Sequence, residues 1–566
     1  MYIYRPMSQL DTHDVTNQAR PLSPLPLYQQ DLALTESVAR WGDAHSAQLK
    51  AFGERAGSEE AITWGEQANR NKPTLHVFDR FGYRIDQVDF HPAYHELMRL
   101  GVEAGLPSVA WTVDQEGRAP EGGHLAHSAM LYMLTQVEPG VCCPLSMTYA
   151  CAPVLRQAPE LQWAWEGALT RRYDPRMIPA DEKMSGGAGL TVGMAMTEKQ
   201  GGSDVRANAT VATALGGLEY SLTGHKWFCS APMSDGFLTL AQASGGLSCF
   251  FVPRWRPDGA RNGIRIQRLK DKLGNHANAS SEIEYVDAWA HRVGEEGRGV
   301  RTIIEMVNHT RLDASLANAG LMRQALSQAL NHCAHRSAFG ARLINQPLMR
   351  AVLADLTVES EAATQMTMRV ARAFDTYHRT GDQQEGAFAR LAVAVTKFWI
   401  CKRTPDMVVE ALECHGGAGY VEESPMPRLY REAPLNGIWE GSGNVMCLDV
   451  LRALQREPEA AQAFMQVTAQ ARGFHPALDA HLSTLAGALG SLSTLSPEQV
   501  QLKARSLTSD LAVALQGALL ALYSPPALAR AFCDSRVASG RRLYGDWGDA
   551  DVDVNALLSR VEPILG

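Results

Sequence analysis

The spacing of apolar residues changes twice along this 566-residue chain, and each change separates one kind of structure from another. From about 41 to 185 apolar residues recur every three or four positions, as in Ala126 to Leu134, which predicts helices. Between about 190 and 295 the period shortens. Leu218–Leu222, Phe237–Leu240, Ser248–Val252 and Glu282–Val286 read as strands, with turns at Gly216-Gly217, Gly245-Gly246 and Pro257-Asp258-Gly259. From Gly299 the helical spacing returns. Its long stretches, Val300 to His335 and Glu385 to Cys414, suit an antiparallel bundle. The expected fold is α+β and multidomain. It comprises an arm over 1–40 carrying Pro21, Pro24 and Pro26, a helical domain over 41–185, a β-barrel-like domain over 186–296, a helical bundle over 297–452 and a further helical domain over 453–566.

So long a chain exceeds one hydrophobic core. Its hydrophobic share of 45% and charged share of 20% are those of a soluble globular protein. A net charge of -8 excludes a protein coated all over in positive charge, but leaves room for a local basic patch. Ten cysteines are scattered without a C-x-x-C pair, so neither a disulfide framework nor a metal site is expected, and a reducing cytoplasm fits. Residues 1–20 lack the basic start and apolar run of a signal peptide. The apolar run Leu511 to Tyr523, broken by Gln516 and Gly517, is shorter than the about 20 residues that span a bilayer. It reads as a buried helix, and no membrane partner is expected.

Three groups of segments carry candidate chemistry. Met196-Thr197-Glu198-Lys199-Gln200-Gly201-Gly202-Ser203-Asp204 joins a glycine turn to hydroxyls and backbone N–H groups, donors suited to a ring carbonyl and a pyrophosphate. Strand-like Gly224 to Ser230 follows, placing Trp227, Phe228 and Ser230 close by. Alone, the glycine turn is more often only a turn, and Trp227 only core. A second constellation is Arg336, Phe339, Gly340 and Gln346, where arginine's planar fork suits a diphosphate; the plain alternative is a helix end. Near it in kind is the glycine-rich run Glu413 to Tyr420, with His415, Gly416, Gly417 and Gly419. The third is Ile438-Trp439-Glu440-Gly441-Ser442-Gly443, in which apolar neighbours favour a raised pKa for Glu440. Glu440 also precedes a helix over Asn444 to Leu451, whose N-terminus favours an acid.

Taken in this order, the segments resemble the acyl-CoA dehydrogenase flavoproteins. The resemblance implies FAD as cofactor, with chemistry done by the flavin rather than by a metal. It implies that Met196, Thr197, Gln200, Gly201, Gly202, Ser203, Trp227, Phe228 and Ser230 meet the flavin. Arg336, Phe339, Gln346, His415, Gly416, Gly417 and Gly419 would reach it across a subunit interface of a homotetramer, and Gly441, Ser442 and Asn444 would complete the site. Glu440 would be the catalytic base, and Thr310-Arg311 resembles the pair that holds the CoA moiety. His13 with Asn17-Gln18, Phe90 to Ala93, Lys270 to Asn275, Arg428 to Glu432 and Trp439 to Arg452 further resemble the family's AidB branch.

That branch is associated with the response to DNA alkylation, which implies double-stranded DNA as partner through an added C-terminal helical domain. Residues 453–566 hold nine Lys/Arg against eleven Asp/Glu, so the segment is not basic overall. Its cations are grouped, and Arg452, Lys503, Arg505, Arg536, Arg541 and Arg542 are the expected phosphate contacts. The plain alternative is a solvated face of mixed charge. The leading expectation is an FAD protein that binds duplex DNA and protects or repairs it, with oxidation of an N-alkyl carbon as a plausible chemistry. The alternatives are a conventional dehydrogenase of short or branched acyl-CoA, and a non-enzymatic DNA shield that keeps FAD for structure.

Overall fold

The computed structural model describes residues 12–113, 116–540 and 543–565. Its centre is the helix Gly299–His335, buried on nearly all sides for most of its length as expected of a helix enclosed by others. Helices Pro347–Thr380 and Gln383–Glu413 pack against it and against each other. The first starts with proline at its opening turn and stops at Gly381, whose φ of 73° only glycine adopts cheaply. Asp382 then accepts the N–H groups of Gln384 and Glu385 and starts the next helix. So tight a connection makes the two helices antiparallel neighbours.

The N-terminal region is helical from Leu32–Trp41 to Pro139–Ala150, with one interruption. Strands β1 (Thr74–Phe78) and β2 (Arg84–Asp89) form an antiparallel hairpin inside the stretch expected to be all helix. Asp79 closes its turn by accepting the N–H groups of Phe81 and Tyr83 at 2.8 and 2.9 Å. Five or six residues of alternation give a weak signal between strong helical ones.

The middle of the chain holds the remaining large sheet: β3 (Val192–Ala195), β4 (Val211–Gly216), β5 (Glu219–Ser230), β6 (Gly236–Ala243), β7 (Gly246–Pro253), β8 (Ile264–Leu269) and β9 (Ser280–Val293). Strands β4, β5, β9, β7 and β6 pair in a closed ring, with β3 parallel on β6 and β8 antiparallel on β9. Leu222, Phe237, Phe250, Ile266 and Ile283 are among the residues that fill its interior. The four strands read from the sequence lie at β5, β6, β7 and β9. A two-residue pair, β10 (Ser337–Ala338) and β11 (Ala341–Arg342), follows the central helix.

Beyond Arg452 the chain forms further helices, the longest being Pro497–Tyr523. Ser496 and Gln499 make a reciprocal cap at its start, with Pro497 at the first position, as the sequence predicts. By length and composition this helix could cross a bilayer, but most of its apolar window is buried. One apolar core runs from Leu25 through the bundle to Ile564, so this segment packs as part of the body. Buried ions tie it down as well. Arg536 pairs with Asp355 and Glu359, Arg403 pairs with Glu359 at 2.9 Å and donates to Tyr544, and Arg560 bridges Glu361 and Glu36.

This corrects the reading of Arg536 as a DNA contact. Its guanidinium is spent inside the protein, because two carboxylates on the Pro347–Thr380 helix face it. Arg505, though exposed, donates to Asn444 at 3.2 Å and lies over Phe398. Arg452 is exposed and pairs with Asp449 at 3.2 Å, and Lys503 is exposed. Arg541 and Arg542 lie outside the described residues. Removing one partner from a buried ion network costs about 3–5 kcal/mol, so Arg536→Ala should lower the unfolding temperature sharply. A Tm unchanged within error would show that the network does not hold the segment.

Candidate active site

A bulge positions the first segment. The β5–β9 register slips between Lys226 and Cys229, which takes Trp227 out of the ladder. Its N–H donates instead to the Thr197 carbonyl at 2.7 Å. Bulges of this kind re-aim side chains beside functional sites. Trp227 and Phe228 both lie under the Lys270 ammonium, at 3.2 and 4.7 Å from their ring centres.

The loop that carries Thr197 is anchored from below by a buried ion pair. Lys226 Nζ donates to Glu198 Oε1 at 2.7 Å and to the Leu240 carbonyl at 2.8 Å. Glu198 also accepts the N–H groups of Ala209 and Thr210 and the amide of Gln200. Burial alone would push the Glu198 carboxyl up, but the Lys226 ammonium and these donors hold it down at about 2. The loop then turns at Gly201, φ 130°. A Cβ on Gly202 would lie 2.3 Å from Thr197 Oγ1, so only glycine lets the turn close over that hydroxyl.

Glu440 sits on a strained turn, with φ 56° at Glu440 and 100° at Gly441. A non-glycine residue in this region costs about 1–3 kcal/mol and persists only where its surroundings over-determine it. They do so here. Thr310 Oγ1 donates to Glu440 Oε2 at 2.8 Å and Arg311 Nε donates to the Glu440 carbonyl at 3.2 Å. Lys397 Nζ donates to the carbonyls of Asn436 and Gly441 at 2.9 and 2.7 Å, one on each side of Glu440. Arg311 is in turn fixed by Asp449 at 2.9 Å, which Arg390 meets at 3.1 Å. Burial raises the Glu440 carboxyl above its ordinary value; Thr310, Lys397 and Arg311 oppose the rise and Asp313 adds to it.

Thr310 and Arg311 therefore hold the catalytic candidate. Arg311, expected with Thr310 to hold the CoA moiety, is buried here and gives Nε to the Glu440 carbonyl and Nη1 to Asp449. Ser442 is the N-cap residue of helix Gly443–Arg456, two positions after Glu440. Glu440 thus also sits near that helix N-terminus, as the sequence allowed. A cavity of about 50 Å³ lies beside Glu440, lined among others by Cys143, Asn275, Asp313 and Trp439. The Cys143 thiol is within hydrogen-bond reach of Ser230 and feels the Glu440 charge, which brings the segments around Thr197 and Glu440 to one place.

The other constellation forms elsewhere in the chain. Phe339 (φ 52°) and Gly340 (φ 83°) make the tip of the β10–β11 hairpin, with the Phe339 side chain fully exposed. Gln346 donates to the Ala338 carbonyl at 3.0 Å, and Arg336 donates to the carbonyl of Asn17 in the N-terminal arm at 2.8 Å. His415, just before the Gly416–Tyr420 turn, packs on His332 near the end of the central helix, ring centres 4.7 Å apart. Gly416 (φ 58°) and Gly417 face open space. Thr310 and Arg336 mark the two ends of this separation. At 1.5 Å per residue the helix puts them about 39 Å apart.

The sequence reading missed Lys397, Asp449, Arg390, Asp313 and His127. Asp449 stands in the Trp439 to Arg452 segment but has no assigned role there, the other four stand in no motif, and only their buried partners reveal what they do. Among the described residues no group of three or more His, Cys, Asp or Glu could hold a metal.

Residues 17–175 match the adaptive response protein AidB N-terminal domain, 193–288 the acyl-CoA dehydrogenase middle domain and 297–455 the acyl-CoA dehydrogenase C-terminal domain. The putative acyl-CoA dehydrogenase AidB of Escherichia coli K12 is 44% identical over 92% of this chain and 94% of its own. This chain belongs to the AidB-type acyl-CoA dehydrogenases. A Caenorhabditis elegans relative, ACDH-11, solved in complex with C11-CoA, superposes with a TM-score of 0.84 at 27% identity over 95% of both chains. The fold also matches an acyl-CoA dehydrogenase of Bacillus anthracis complexed with FAD, TM-score 0.70 at 15% identity over 96% of this chain and 94% of that one.

Acyl-CoA dehydrogenases bind FAD, and the residues here fit it. The Gly201-Gly202 turn leaves backbone free to approach, Trp227 offers a flat ring, and Ser230 lies on the Glu440 side.

The Glu198–Lys226 pair gives a pH test. A carboxyl depressed to about 2 stabilises the fold above its ordinary value of 4.5, and that contribution is lost as pH falls from about 4.5 to about 2. The Tm gap between wild type and Glu198→Gln should therefore shrink through this window. A gap independent of pH would mean that the charge of Glu198 does not matter.

Proposed function

We propose that this chain is an FAD-dependent dehydrogenase in which Glu440 removes a proton from the carbon next to the one that is oxidised. Bound FAD would supply the hydride acceptor. Thr310 holds Oε2 of Glu440, which leaves Oε1 as the oxygen for the substrate proton. Burial brings the carboxyl closer to neutral pH and makes it a stronger base. Lys397 and Arg311 fix the main chain so that this oxygen stays in place. The observation that carries the reading is the strained Glu440 turn, held from both sides beside a cavity that it lines.

The FAD site is proposed to be shared within a homo-oligomer, a tetramer in this reading. One chain separates Arg336 from Thr310 by about 39 Å, so the exposed Phe339 hairpin and Gly416 turn would serve a neighbour's flavin.

The match to the adaptive response protein AidB N-terminal domain supports a role in an adaptive response. We further propose that the response is to DNA alkylation, with duplex DNA as partner. In that case hydride passes from an N-alkyl carbon to bound flavin, Glu440 takes the proton from nitrogen, and hydrolysis then releases the alkyl group. The conventional acyl-CoA reading is supported by the family match and by the likeness to ACDH-11 solved with C11-CoA. The DNA reading now depends on Arg452, Lys503 and Arg505, since Arg536 is buried; if DNA binds without turnover, the DNA-shield reading remains.

Glu440→Gln keeps the shape but cannot take a proton, so flavin reduction by substrate should fall about 10²–10⁴-fold with FAD content unchanged. Undiminished reduction would remove Glu440 from the mechanism. For DNA, replacing Lys503 and Arg452 together with alanine should weaken duplex binding and lower the log-log salt slope by about one unit for each phosphate no longer neutralised. Equal slope and affinity would show that this face does not touch DNA.

A further inference from the structure

Trp439 and Glu440 are neighbours in the chain, yet both line the same cavity. A regular strand does not allow this, because its successive side chains face opposite ways. The left-handed backbone at Glu440, φ 56°, departs from that alternation. Thr310 holds the Glu440 carboxylate, Arg311 its carbonyl and Lys397 the carbonyl of Gly441. On the side before Glu440 the grip falls on the Trp439 indole.

That indole is fixed by a chain of amides inside the protein. Trp439 Nε1 donates to Asn436 Oδ1 at 2.5 Å, and Asn436 Nδ2 donates to Asn318 Oδ1 at 2.7 Å. Asn318 Nδ2 then meets the Ala433 carbonyl at a longer 3.5 Å. An indole N–H can only donate and a main-chain carbonyl can only accept, so the direction of the chain and the orientation of both amides follow. Asn318 is wholly buried on the central helix, and Asn436 is 6% exposed in the short turn Leu435–Gly437. The Asn436 main chain is itself pinned, its carbonyl accepting from Lys397 Nζ at 2.9 Å.

We propose that Asn436 is the positioning residue of the Glu440 turn. By holding the Trp439 indole in the cavity wall, its side chain keeps the next residue strained and the carboxylate aimed at the substrate carbon. The last clause rests on the reading of Glu440 as the base. A strained backbone persists only where its surroundings over-determine it. Removing the Asn436 oxygen takes the acceptor from the Trp439 N–H, and a buried donor left unpaired is costly. Trp439 then shifts to find a partner, and Glu440 relaxes into an ordinary conformation. Lys397 still holds the main chain on both sides, so the loss falls on the turn rather than on the fold.

The test compares wild type, Asn436→Ala, Trp439→Phe and the double variant, all loaded with FAD. In crystal structures of both single variants Glu440 should leave the left-handed region and its carboxylate should part from Thr310. In stopped-flow reduction by butyryl-CoA each single variant should be about tenfold to a hundredfold slower at unchanged FAD content, as a misplaced group costs. The double variant should be no slower than the slower single one, because both substitutions break the same bond. The limb of the pH–rate profile that belongs to Glu440 should move to lower pH as the carboxyl meets water. Glu440 unmoved in both variants would overturn the proposal, and so would rate effects that multiply in the double variant. If Asn436→Ala does not fold, Trp439→Phe keeps an aromatic ring, removes the N–H and decides through the same structure. A wild type that butyryl-CoA does not reduce would instead sink Glu440 as a base for acyl thioesters, and the crystal structures would still decide what Asn436 holds.

Discussion

The ion pair between Glu198 and Lys226 is the contact on which the site depends. It is wholly buried, and its two residues belong to the two segments that must meet, the loop after β3 and the strand β5. Separating buried charges is costly, so the pair holds the loop to the barrel in one register. That register lets Trp227 give its N–H to Thr197 and lets Gly202 close over the Thr197 hydroxyl. A flavin ring needs this rigidity, because donors at its polar edge are useful only if they stay in place.

Glu440 shows the same logic on the helical side. Its backbone is strained and its carboxyl buried, and both costs are met by neighbours from three helices. Thr310 and Arg311 come from Gly299–His335, Lys397 from Gln383–Glu413 and Asp449 from Gly443–Arg456. The C-terminal segment then packs on this bundle through a shared core and through Arg536, Arg403 and Arg560. It supports the Glu440 side of the bundle from behind.

Much of this was legible in the chain. The change of apolar period gave the helical, β and helical order, because a helix and a strand bury different residue spacings. The glycines at 201, 202, 416 and 441 were legible too, since each marks backbone that a side chain would obstruct or strain. The Thr74–Asp89 hairpin was hidden by its shortness.

The sequence by itself determined the order of the domains, the family and the candidate residues Thr197, Trp227 and Glu440, all of which stand in contiguous motifs. Only the tertiary structure decided what the charges do. Arg311 and Arg536 read as free cations in one dimension. In the fold each faces carboxylates more than a hundred residues away, and the strength of a charge interaction is set by separation in space and by burial, neither of which a linear spacing contains. Asp313 and His127, 186 residues apart, become a pair for the same reason.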